Sequence, residues 1–95
     1  MLPKTKDKDD LFKVILSLEN IDECYAFFED LCTINEVESM SGRLQAAKML
    51  MDGKTYEQVI EATDISSATL SRVSKCVHYG AGGYQKVYPK IKDVK

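Results

Sequence analysis

Between Lys4 and Tyr79 the chain has no proline and only two glycines, Gly42 and Gly53. In a helix interior proline costs about 3 kcal/mol and glycine about 1 kcal/mol relative to alanine. A chain this free of both over most of its length is expected to be all-α. The punctuation sits at the ends: Pro3, Pro89, and a glycine cluster at Gly80, Gly82 and Gly83. The 95 residues are enough for one domain. Their 44% hydrophobic content suffices for folding. So short a domain buries a modest fraction of its surface, and a partner subunit would help it.

Five helices and a tail are predicted. The first spans roughly Asp10 to Leu18, capped by Asp9 or Asp10, with Leu11, Val14, Ile15 and Leu18 on one face. The second starts after Asn20, where Asn20 and Glu23 have capping-box spacing. Its apolar side (Ile21, Cys24, Tyr25, Phe28, Leu31, Cys32, widened by Phe27) is broad, as for a core within one chain or one shared between two. The third and longest opens on the Thr33–Glu36 box, carries Val37, Met40, Leu44, Ala47 and Leu50 with Met51 beside them, and closes at Gly53. The fourth is short, from the Thr55–Gln58 box to about Thr63, with Val59 and Ile60 facing inward. Asp64 and Ile65 make a turn, and Ser66 caps a fifth helix to about His78. Residues 79–84 read as a loop with a flexible glycine-rich helix end. Residues 85–95 read as a short helical turn before Pro89 or as a loose basic tail. By function the single domain divides into 1–53 (dimerisation region and long core helix), 54–79 (a two-helix unit) and 80–95 (glycine-rich loop and tail).

Charge narrows the functional classes. The net charge of −2 speaks against nucleic acid, but its distribution does not. Residues 14–42 carry seven acids (Glu19, Asp22, Glu23, Glu29, Asp30, Glu36, Glu38) and no lysine or arginine. Residues 43–95 carry nine basic residues against five acidic ones. A DNA contact therefore belongs to the second half, with the acidic stretch a solvated face or a screen that keeps DNA on the other side. No apolar run is long enough to span a membrane, and residues 1–10 lack the apolar core of a signal peptide. Cytoplasmic, nucleoid-associated localisation is expected. The odd set Cys24, Cys32 and Cys76, with no CxxC pair, suits reduced, buried thiols rather than disulfides. These cysteines and the single histidine, His78, do not form a metal set, so no metal or other cofactor is expected. No nucleophile, base and oxyanion donors are grouped, so an enzyme is not expected. Gly80-Ala81-Gly82-Gly83 follows a helix rather than a strand and is not a phosphate loop.

The informative stretch is Thr55 to Val73. Two short helices joined by a turn of about three residues have the spacing of a helix-turn-helix. Val59, Ile65, Leu70 and Val73 fall where they would be buried between the helices. Ser66 caps the second helix and aims its positive end outward, where a phosphate can bind. The outward face is then Ser67, Ala68, Ser71, Arg72 and Lys75. Small residues at its leading end let the backbone approach base edges, hydroxyls serve bases or phosphates, and Arg72 can bind in two-pronged fashion. With Thr55, Tyr56, Ser66 and the Thr69 hydroxyl, these are the candidate DNA-binding residues. Asp64 stands where glycine would most easily turn left-handed, although aspartate tolerates it. Glu57 and Glu61 lower the positive charge of the unit, so each subunit should bind modestly and a dimer should be needed. The competing reading is a protein-interaction module that keeps this packing without using DNA.

The segments Glu29–Thr33, Arg43–Leu50, Gly53–Thr55, Ser66–Val73 and Tyr79–Tyr84 resemble the Trp repressor family, in particular its YerC/YecD-like group from Gram-positive bacteria. The resemblance covers nearly the whole chain for that group and roughly half for the tryptophan repressor itself. It implies an intertwined all-helical homodimer with two outward reading heads that bind operator-like double-stranded DNA. It further implies that Thr33, Arg43, Arg72, Val73 and Cys76 stand where the repressor holds tryptophan. Val73 replaces the glycine that makes room for the indole, and Cys76 replaces a serine. Because overfilling a packed slot costs about 1–3 kcal/mol, tryptophan is not expected as corepressor. Arg72 would then turn to DNA, and Arg43 would pair with a helix carboxylate such as Glu36 or remain a solvated charge.

Overall fold

The computed structural model describes residues 2–91 and contains six helices and no strand among them: α1 (Lys6–Ser17), α2 (Ile21–Leu31), α3 (Ile34–Met51), α4 (Tyr56–Thr63), α5 (Ser67–Tyr79) and α6 (Gly83–Ile91). The all-helical expectation holds. Two compact units are present, Met1–Val37 and Glu38–Lys95.

In the first unit, α1 begins four residues earlier than predicted. Thr5, not Asp9 or Asp10, is its cap, accepting a hydrogen bond from the Lys8 amide at 3.2 Å. The aspartates Asp7 and Asp9 sit in the first turn instead, where the positive helix end favours them. At α2 the Asn20 side chain accepts from the Glu23 amide at 2.9 Å. Glu23 reaches back to the amide of Glu19 rather than that of Asn20. The Thr33–Glu36 box is complete in both directions. No residue of α1 or α2 is buried. Leu11, Ile15, Leu18, Cys24, Phe27, Phe28 and Cys32 are half-buried. Leu16, Ile21 and Tyr25 are 84%, 72% and 73% exposed.

The second unit holds the buried core: Ala46 and Ala47 of α3, Val59 of α4, and Leu70, Val73 and Val77 of α5. Met49, Leu50, Met51, Ile60, Ile65 and Tyr84 pack against it. α3 ends in a Schellman arrangement: the Lys54 amide donates to the Met49 carbonyl and the Gly53 amide to the Leu50 carbonyl. Gly53 takes φ +92°, a backbone that side chains resist.

Residues 80–82 stay non-helical as predicted, but the chain from Gly83 to Ile91 is a full sixth helix, longer than the short turn before Pro89 that is one of the two sequence readings of the tail. Tyr84, Val87, Tyr88 and Ile91 recur at helical spacing and are all half-buried. Pro89 lies within α6 near its end, where it removes a single backbone hydrogen bond. Residues 92–95 of the predicted tail lie outside the described residues. Among the described residues no helix is long and apolar enough to cross a membrane.

Candidate nucleic-acid interface

The two-helix unit is built by local sequence. Thr55 accepts from the Gln58 amide, and the Gln58 side chain accepts from the Thr55 amide at 2.9 Å, so both ends of the α4 capping box close. α4 ends at Asp64, which adopts the left-handed conformation (φ 59°, ψ 21°) and donates its amide to the Ile60 carbonyl. That reversal turns the chain within three residues, and Ser66 starts α5 by accepting from the Thr69 amide at 3.1 Å. Val59 and Leu70 are fully buried and Val73 nearly so, while Ile65 is half-buried against them. Gly42 of α3 makes room for this turn, because a Cβ there would lie 3.2 Å from Ile65 Cγ2.

Burial of Leu70, Val73 and Val77 on one stripe of α5 fixes what the other stripe offers. Ser67, Ala68, Ser71, Arg72 and Lys75 are all exposed. Among the described residues neither Arg72 nor Lys75 has an ion-pair or hydrogen-bond partner. The Ser66 hydroxyl is occupied: besides accepting from Thr69 it donates to Thr69 Oγ1 at 2.9 Å. Phosphate-binding capacity at this end therefore rests on the first-turn amides of Ser67 and Ala68, which have no acceptor within the helix. α5 has no acid in its first turn to compete for them. Thr55 is likewise committed to its cap, while Tyr56, Glu57 and Glu61 are exposed on α4.

Beside the exposed face of α5 lies a cleft of about 380 Å³ lined by Arg43, Thr69, Arg72, Val73, Cys76 and Tyr84. Four of the five residues of the expected pocket remnant meet there. Thr33, the fifth, belongs to the first unit, where it caps α3. Arg43 does not pair with Glu36: its guanidinium donates to Ser39 Oγ at 2.9 Å, one helical turn back. The Glu36 carboxylate is taken by the Thr33 amide and hydroxyl, which hold its pKa below the ordinary glutamate value. Cys76 is exposed rather than buried, and Cys24 and Cys32 are half-buried; all three are free thiols. Among the described residues no three His, Cys, Asp or Glu side chains gather as a metal site.

Tyr84, Gln85 and Tyr88 are absent from the sequence-based candidates. The Tyr84–Val87–Tyr88–Ile91 spacing could have revealed their helix, but the flanking glycines and Pro89 masked it.

Over residues 6–92 the chain matches the sequence family described as Trp repressor protein. It is 46% identical over 90 residues to YerC of Bacillus subtilis (strain 168), an uncharacterized protein, covering 95% of this chain and 86% of the relative. A crystal structure of a TrpR-like protein from Eubacterium eligens is similar at TM-score 0.91 and 46% identity, covering 97% of this chain and 95% of that one. A crystal structure of a candidate Trp repressor from Staphylococcus aureus is similar at TM-score 0.89 and 43% identity, covering 93% and 88%.

Proposed function

The chain belongs to the Trp repressor family, a regulator fold and not an enzyme family, and on that premise we propose that it is a sequence-specific, homodimeric DNA-binding repressor of transcription associated with the nucleoid. The observation that carries this reading is the outward face of α5. Small residues, hydroxyls and two unpaired cations stand along a helix whose other side is locked into the core. Such a helix enters the major groove, with Ser67, Ala68 and Ser71 against base edges and Arg72, Lys75 and the Thr69 hydroxyl on bases or phosphates. Tyr56 and the amides following Ser66 then hold the backbone on either side, while Thr55 serves through the cap that sets the start of α4.

Dimerisation runs through the first unit, whose apolar side chains are left largely uncovered by their own chain. Two symmetric heads would prefer a palindrome with half-sites roughly 34 Å apart, one turn of DNA. Tryptophan is not the corepressor on this reading: Val73 lines the cleft with a branched side chain at the position where, by the resemblance, the tryptophan repressor has a glycine.

Polarisation or gel-shift assays with genomic fragments at two salt concentrations test the proposal. The expected result is preference for some fragments and affinity that falls with salt. No binding at low salt overturns it and favours a protein-interaction module, the reading that the net charge of −2 supports.

A further inference from the structure

α6 meets the second unit at three points. The Tyr84 side chain packs against the core and lines the cleft together with Arg43 of α3 and Thr69, Arg72, Val73 and Cys76 of α5. The Gln85 side-chain amide donates to the Val77 carbonyl. That carbonyl is one of the last four of α5, which have no acceptor role left within the helix. The Tyr88 hydroxyl donates to Asp52 Oδ1 at 2.5 Å, just past the end of α3, and Asp52 also holds Lys48 at 3.1 Å. A single short helix thus ties the end of α3 to the last turns of α5.

The connection is shaped for this. Gly80 caps α5, and a Cβ there would collide with the Cys76 carbonyl oxygen. Gly82 takes φ +89°. Two side-chain-bearing residues would not turn the chain back so tightly.

We propose that Tyr84 is a positioning residue for α5: its ring, supplied by the chain's own α6, packs against the core, forms one wall of the cleft lined by Arg43 and by Thr69, Arg72, Val73 and Cys76, and sets the orientation of α5 without a small ligand. This deepens the DNA-binding reading and rests on it for its purpose, not for its test. Arg72 lies in the same cleft and on the reading face, so a shift of α5 on loss of the ring moves the group that would meet DNA.

The test compares the full-length protein with its Tyr84→Ala and Tyr84→Phe variants by amide hydrogen exchange and by DNA titration. In Tyr84→Ala, α5 amides should exchange about tenfold faster, while those around Ala46 and Ala47 change by less than about twofold. DNA affinity should fall about tenfold with an unchanged salt slope, because no phosphate contact is lost. Tyr84→Phe should restore both to within about twofold of the parent. If Tyr84→Ala does not fold, Tyr84→Leu, which keeps apolar bulk but not the ring, should show the same selective loosening at about threefold. Unchanged α5 exchange, or faster exchange spread evenly over the chain, overturns the proposal. A parent protein that binds no DNA overturns the regulator reading instead, and exchange still decides the role of Tyr84.

Discussion

Asp64 is the only described non-glycine residue with positive φ, and it carries the turn between α4 and α5. A left-handed backbone costs ordinary residues about 1–2 kcal/mol, while aspartate tolerates it through local hydrogen bonding and glycine feels no penalty. Asp64→Val is therefore expected to destabilise by about 1–2 kcal/mol in urea titration, and Asp64→Gly to cost nothing measurable. Equal stability of the three would show that the turn relaxes freely. Val73 makes a second prediction at this scale. Calorimetry with free tryptophan should give no micromolar binding, and such binding by the parent would show that the slot survives its branched side chain. Conformation at single residues was legible in the sequence where the cause is local: the caps at Asn20, Thr33, Thr55 and Ser66, the reversal at Asp64, the left-handed Gly53. The partner of Arg43 was not legible. A long surface side chain chooses among several acceptors of similar strength, and Ser39 lay as close in helical spacing as any carboxylate.

At the scale of elements, α4 and α5 were readable because their burial pattern, caps and turn all agree. α1 was readable in kind but misplaced at its start, since Thr5 competes with three nearby aspartates for the cap. α6 failed because glycine and proline outweighed a correct apolar spacing, and its anchors are tertiary. Those anchors predict a pH dependence. The Tyr88 hydroxyl first, and Lys48 second, hold the Asp52 carboxyl below its ordinary pKa. A group depressed in the folded state adds stability above its unfolded value of about 3.9, and that stability is lost as pH falls through the folded value. Protection of α6 amides, measured as exchange relative to the intrinsic rate at each pH, should thus fall below about pH 4. Asp52→Asn should remove this acid-dependent component, and an unchanged acid response in that variant would assign it to another group. For α5, Lys75→Ala should weaken all DNA sequences about equally and flatten the salt slope by about one unit, whereas Ser71→Ala should alter the preferred site. If both variants bind like the parent, this face is not the reader.

Across the whole molecule, charge and apolar surface are unevenly divided. Residues 14–42 hold no basic residue, and α1 and α2 hold no buried one. Among the described residues every buried side chain belongs to α3, α4 or α5. Light scattering at micromolar concentration should return twice the chain mass, and a clean monomer would remove the proposed dimer. The breadth of the α2 apolar side was visible in sequence, but whether one chain could cover it was not, because that depends on which neighbours fold back over it.

Translation runs from the N-terminal side, so the stretch whose helices bury no side chain leaves the ribosome before the part that holds the buried core. On the dimeric reading, the early stretch is finished only by meeting another copy. Its completion is then a bimolecular event, and scarce chains yield dimer in proportion to the square of their number. On that reading, and below the dimer's Kd, a cell that halved synthesis of this protein would lose more than half of its dimers, so dimer number would respond more steeply than the expression of the gene.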